Sequence, residues 1–550
     1  MNVAETHTFN ATTMNDFRAA WFKHTSFRQG VNADFNPASL FPQLTPGINR
    51  GLPTMGVSGY SNVAYDYGYG AGKHGSTYSL EFTDNFTKVL HNHAIKAGFD
   101  ETGYKVFNKN GTGSLGSFSF SGVWTGNKGW PGQPQSQGNS FADYLLGVAN
   151  SATRSTPSPD SALYNRIYEG YVQDTWQATS RLTLDYGIRY MYQSAWDVRN
   201  NARSFYDLKN NKIALAQDSA TPTLPVLGNA AFFNAYLPYL ETTQSIGLST
   251  HYMRPSKNNW APRFGFAFRP SPNTVIRGGY GIYYNFLITN FGAWDYLNIP
   301  FGSNTETASS QLPGKPTSAY QPDITFASPF TNAAANLSLH PTVYSVQPNI
   351  KNAMVQQYNL TAERQLLQDW MVRASYVGSV TRHLPYYQAD INQPLVQIPN
   401  TPYQNQRPLQ PWGTINTNRD GGQQSFNQLQ LEAIRRYDNG MSFQAEYSWT
   451  RSLDNINSVG GPQQIARPDL DYGNSTGIRT HTLVFNYLYA LPFGHGKMWL
   501  NHSSQLVNAL AGGWQVSGIT TYATGTPFSV GYSVPSNYIG WTGGRANQIP

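Results

Sequence analysis

The stretch SFNQLQLEAIRRYDNGMSFQAEYSWTRSLD, Ser425–Asp454, decides the fold. In its second half Phe443, Ala445, Tyr447 and Trp449 alternate with Gln444, Glu446, Ser448 and Thr450. A period of two places the first set on one face of a strand and the second set on the other. Between the halves stands Asp438-Asn439-Gly440, and Asn-Gly between alternating runs is the strongest short signal for a hairpin. The stretch therefore predicts a β-hairpin with arms of about a dozen residues, longer than the usual five or six of a globular strand. Long strands with one apolar face are what a membrane-spanning barrel needs.

The same pattern recurs along the chain. Strands are expected at Val3–Phe9, Asn15–Phe27, Thr77–Phe86, His93–Phe107, Leu163–Trp176, Arg181–Tyr192, Trp260–Phe268, Thr274–Phe286, Met354–Leu366 and Trp370–Ser379. Two more follow the opening hairpin, within Ile478–Gly494 and Gly512–Val530, for about fourteen in all. Arg28–Lys73, Asn108–Thr125, Ser194–Asn259, Leu287–Ile350 and Val380–Gln424 read as long Gly-, Pro- and Asn-rich connections; GSFSFSG is a weak strand within them and Phe141–Ala149 a helical turn or two. Short turns after every second strand, with long excursions after the others, match the short periplasmic turns and long extracellular loops of outer-membrane barrels. A compact soluble domain seldom carries several such loops. The fold expected is all-β: a large antiparallel transmembrane outer-membrane β-barrel, visible in part, occupying residues 1–550.

Composition agrees. The chain has 550 residues, of which only 12% are charged and 14% aromatic, including 36 Tyr and 13 Trp. Mean hydropathy is −0.46, as expected when the lipid face is hidden by alternation. The net charge of +7 is mild for this length, and no dense Lys/Arg run argues for nucleic acid. The absence of cysteine excludes disulfides and thiolate metal sites.

Several stretches resemble the barrel region of Oar-like TonB-dependent receptors of the acidobacterial type. They are Arg166–Gln193, Asn258–Phe286, Gln356–Leu384, Ser425–Asp454, His481–Lys497 and Gly512–Phe528, in that order along the chain. The resemblance implies a plugged barrel of the 22-stranded type in a Gram-negative outer membrane, taking up a large or scarce solute with energy from the TonB–ExbB–ExbD system. It also implies a signal peptide, a carboxypeptidase-regulatory-like domain and a plug ahead of the barrel. None is legible here: the first residues carry neither a basic nor an apolar leader segment, and further closing strands are expected. The chain is thus expected to be a piece of a longer protein. Two alternatives remain open: a non-transporting adhesion or envelope-organising protein of the same fold, and a secreted β-protein acting on polysaccharide.

No catalytic constellation or cofactor site stands out, and the chain is not expected to be an enzyme. Gly68, Gly70 and Gly72 brush a nucleotide-loop pattern without the strand-and-helix context it requires. His91 and His93 offer two imidazoles but no third metal ligand, and Asp469 and Asp471 lack the spacing of a calcium loop. Asp185, Arg189, Arg373, Glu432 and Glu446 fall on the polar strand faces, which in a barrel line the lumen. The glycines of Arg277–Tyr284 permit bends or the close approach of a plug. Loops rich in Asn, Gln, Tyr and Trp suit carbohydrate, though such loops also simply stay soluble.

Overall fold

The computed structural model describes residues 1–28, 35, 40–41, 51–63, 73–109, 116–126, 138–155, 160–286, 298–302, 305–309, 324–327, 329, 340–394, 398, 401–456, 462, 464–532 and 544–545. Fourteen long strands form one antiparallel meander: β1 (Asn2–Asn10), β2 (Thr13–Arg28), β3 (Lys73–Leu90), β4 (His93–Lys109), β5 (Ser161–Thr179), β6 (Leu182–Gln193) and β7 (Trp260–Ser271) make its first half. The second half is β8 (Thr274–Asn285), β9 (Ala353–Gln365), β10 (Trp370–Asp390), β11 (Ile415–Asp438), β12 (Met441–Asp454), β13 (His481–Ala490) and β14 (Gln515–Ala523). Each pairs with its predecessor and successor in chain order. Three short strands dock on this wall to complete a 17-stranded sheet. Among the described residues, β1 pairs with β2 alone and β14 with β13 alone.

The registers carry the alternation across the whole wall. Leu360, Tyr376, Leu429 and Trp449 face one another on β9 to β12. With Phe17, Phe99, Val172, Ile188 and Phe264 they give one face a broad exposed apolar surface. In the intervening rows Glu363, Arg373, Glu432 and Glu446 stand opposite one another on the other face. A sheet with one greasy and one charged face puts the first against lipid and the second into the lumen. The outward face is not wholly apolar: Asp84 accepts from the Asn15 amide at 2.7 Å. The Asn439-Gly440 turn closes as expected, with φ of 49° and 82°, the left-handed pair that a type I′ hairpin needs.

The long connections depart from the expectation of irregular loops. Residues 204–207, 212–215 and 240–242 build a three-stranded sheet. Around it, Tyr206, Ile213, Phe232, Leu240, Ile299, Val343, Trp412 and Ile415 form a closed hydrophobic core. A second core holds Phe41, Met55, Val57, Phe118, Phe120 and Ala152, on a four-stranded sheet that includes the strand within GSFSFSG. The Phe141–Ala149 expectation is met by a helix, Ser140–Leu146, whose N-terminus is capped by Asn139. These connections thus pack into a cap with cores of its own. The strands at 204–207, 212–215 and 240–242 bury both faces and so show little alternation to read, whereas Ser117–Phe120 buries alternate residues.

Two further differences concern length. β10 and β11 run on through much of what reads as the loop Val380–Gln424, because the polar segment INTNRDGGQQ pairs with β10 through several register shifts. Such irregular pairing has no period-two signature. The connection 491–514 lies at the short-turn end yet contains a helix, Gln505–Ala511, and so breaks the alternation of short and long links.

Candidate functional site

The lumen face of β5 to β9 holds a recess of about 390 Å³. Its floor is bare because glycines occupy successive lumen positions: Asp185, Gly265, Gly279 and Asn359 form one row, and Gly187, Arg263, Gly281 and Gln357 the next. Chain packs close at Gly281, where an added Cβ would meet the Tyr283 ring at 3.0 Å. At Gly265 it would meet only the Asp185 Cβ and the Gly278 carbonyl oxygen at 3.7 Å, so there is room above it. Glycine in a strand interior weakens the strand, and here it opens space for another group.

Polar side chains surround the recess. Arg189 pairs with Glu169 and lies 3.5 Å from Asp100, with its guanidinium 4.9 Å from the centre of the Tyr171 ring. Arg263 stacks over Tyr283 at 4.5 Å. Thr175 donates to Asp185 at 2.6 Å. The arrangement offers fixed cations, a carboxylate, two amides and aromatic faces, which suits transient binding of a polar solute or of another segment of protein.

A charged ladder continues round the wall. Arg373 donates to Glu363 at 3.0 Å and to Glu432 at 2.6 Å, and Arg277 reaches Glu363 at 2.8 Å. Gln444 donates to both Glu432 and Glu446. Hydrogen-bonded chains of this kind hold each charge by several partners and stiffen the wall.

The structure therefore gathers Arg373, Glu432 and Glu446 into one network, and places Asp185 and Arg189 along one recess with separate partners, Thr175 for the first and Glu169 for the second. The reading of the sequence missed Arg263, Glu363, Asp100, Gln357 and Asn359; each sits at a polar position of an alternating strand, and that parity was the available signal. His91 and His93 do not form a pair: His91 occupies the turn, while His93 bonds Asp174 at 2.6 Å and stacks on Trp176. Asp469 is held by Arg467 through bonds of 3.0 and 2.8 Å, which keep its carboxyl below the usual range. Asp471 is buried beside it on the same 3-10 turn. Among the described residues no three His, Asp or Glu side chains cluster for a metal. Gly68, Gly70 and Gly72 lie outside the described residues.

Comparison with known proteins follows the same line. A family model described as an outer membrane beta barrel domain matches residues 1–550. No curated protein matches the sequence. Among solved structures, the outer membrane transporter YddB from Escherichia coli is 11% identical with a TM-score of 0.48, covering 94% of this chain and 54% of that one. The FrpB iron transporter from Neisseria meningitidis is 11% identical with a TM-score of 0.40, covering 89% and 49%. The copper transporter OprC is 9% identical with a TM-score of 0.41, covering 89% and 49%. This chain spans about half the length of these structures. The family match and the two-faced wall lead to one conclusion: the chain belongs to the outer membrane beta barrel domain family and lies in the outer membrane of a Gram-negative bacterium.

Proposed function

We propose that this chain is the barrel wall of a TonB-dependent receptor, acting by binding and passage and not by catalysis. The observation that carries the reading is the glycine-floored recess in the lumen wall. Close packing accounts for glycine at Gly187 and Gly281, where an added Cβ would meet Gln173 and Tyr283, but not at Gly265, whose open space beside fixed charges suits a wall past which a solute or a plug slides. The sequence resemblance to Oar-like receptors supports the same reading, as do iron and copper transporters among the similar structures. The solute is large or scarce, and carbohydrate-derived compounds join ferric chelates and copper complexes as candidates.

The test is uptake by cells carrying the intact protein, using labelled ferric chelates, copper complexes and oligosaccharides with and without an uncoupler. One class should accumulate only in energised cells, and Gly265→Phe should remove most of that uptake while leaving the protein in the membrane. Accumulation that ignores the uncoupler would overturn energised transport. The well-packed extracellular cap favours a second reading, adhesion or envelope organisation. Loss of surface attachment on deleting the cap residues 204–242, with no uptake of any class, would establish it in place of the first.

A further inference from the structure

On the outward face near the long-loop end, β2 to β5 align Lys23, Tyr78, Lys105 and Tyr164 in one continuous register row. The cations and rings interleave: Lys23 Nζ lies 5.4 Å from the centre of the Tyr78 ring, and Lys105 Nζ lies 5.8 Å from Tyr78 and 5.6 Å from Tyr164. Both lysines are exposed. Of the neighbouring carboxylates, Glu101 takes Arg166 at 3.2 Å, and Asp197, opposite Tyr164, is exposed and lies 3.7 Å from the His251 ring. Neither lysine makes an ion pair among the described residues. The row borders a groove of about 770 Å³ floored by Trp21 and Leu80 and overhung by Met253 and Pro255.

Height fixes what meets this groove. The lysines stand some eleven to thirteen residues from the short turns at 11–12 and 91–92. At about 3.3 Å per residue and a tilt of about 40°, that is roughly 30 Å above the turn end, just past an apolar band about 25 Å tall. Below it, Trp21, Leu80 and Phe82 on β2 and β3 are exposed and apolar and continue onto the lipid face, while the same rows carry the Glu101–Arg166 pair on β4 and β5. Lys23 and Lys105 sit on strands two apart, hence about 10 Å from each other, enough to address two anionic groups. Aromatic rings at this level suit the membrane interface, and paired lysines suit phosphate there.

We infer that the groove bordered by Lys23, Tyr78, Lys105 and Tyr164 binds the phosphorylated headgroup of an outer-leaflet glycolipid, with acyl chains lying along Trp21 and Leu80 below. The site is on the outside of the wall, away from the lumen recess, and is independent of what the receptor carries.

The experiment uses the intact protein extracted from its outer membrane, washed in mild detergent and examined by native mass spectrometry for retained glycolipid. Wild type should hold phosphorylated glycolipid, and Lys23→Gln with Lys105→Gln should reduce the retained fraction about tenfold, in line with two cations near an anionic surface. Lys23→Arg with Lys105→Arg should retain it. Heat-modifiable migration on gels reports that each variant is folded. A second arm needs no variant: added phosphorylated glycolipid should displace the labelled form from wild type, and its dephosphorylated counterpart should not. Equal retention by the folded glutamine variant would overturn the inference. So would equal competition by the dephosphorylated lipid, or displacement by inorganic phosphate at the same concentration, which would mark a small-anion site.

Discussion

Arg373 stands between Glu363 and Glu432 in one row of the wall, and without it two carboxylates two strands apart are left unneutralised. Its side chain is 36% exposed, so water screens part of the interaction. Arg373→Ala should lower the stability of the intact protein in detergent by about 1–2 kcal/mol, measured by denaturant unfolding. Adding Glu363→Gln should restore part of the loss, since it removes one of the charges left unneutralised; strict additivity of the two changes would show that the network is not coupled. Glu241 is the opposite case. It lies in the cap, 9% exposed, with Asn210 donating to one oxygen at 2.9 Å, and burial pushes its carboxyl up. A carboxyl raised in the folded state carries no penalty at a pH below its unfolded value, about 4.3, where both states are protonated. The penalty grows as pH rises through that value and is complete above the folded one. Glu241→Gln should therefore raise the melting temperature of the cap at pH 7 to 8, and the difference should vanish as pH falls towards 4, as followed by calorimetry.

Elements carry the next set of consequences. The cap core closes on Trp412, which is fully buried, packs against Tyr206, Tyr236 and Tyr239, and donates from its indole nitrogen to the Asn211 carbonyl at 3.3 Å. Burial here pushes the Tyr236 hydroxyl up to about 12. Asn392 ties the same region together by donating to the Leu409, Trp412 and Gly413 carbonyls and accepting from the Leu409 amide. Trp412→Ala should cost the cap about 3–5 kcal/mol and open it to protease, while the barrel keeps its heat-modifiable migration. Loss of the barrel signature along with the cap would show that the two share one cooperative unit. In the wall, Gly265→Ala should be silent, because its Cβ has 3.7 Å of room, whereas Gly265→Phe fills the recess.

At the scale of the whole molecule, the two faces of the wall impose different costs on the same charge. Leu360 faces outward and is 52% exposed, and its chain neighbour Asn359 faces the lumen. Leu360 lies about five residues from the short turn, near mid-membrane for a tilted strand. Leu360→Arg should destabilise the protein in bilayers by about 2–4 kcal/mol, and Asn359→Arg should change stability little. Equal costs, measured by unfolding from lipid vesicles, would mean that the faces have been assigned wrongly. The exposed apolar face of fourteen strands is far larger than a soluble monomer tolerates, and lipid is what covers it in this family.

How much of this was legible depends on range. Each strand was readable by itself: Phe443, Ala445, Tyr447 and Trp449 share a face whatever the rest of the chain does, because side chains alternate by the covalent geometry of a strand. The Asn439-Gly440 turn was readable too, since few residue pairs accept two positive φ angles. From these came the class of fold, its membrane, and the lumen placement of Asp185, Arg189, Arg373, Glu432 and Glu446. What no local pattern contained was register. Whether Arg373 meets Glu432, whether Gly265 and Gly279 fall side by side to bare the lumen wall, and whether Lys23 lines up with Lys105 each depend on how strands far apart in sequence slide against one another. The cap cores are of the same kind, joining residues 206 and 412 through contacts that alternation does not announce. Amino-acid order settled which way each side chain points; only the tertiary structure decided which side chains meet, because pairing across strands is set by the packing of the whole wall.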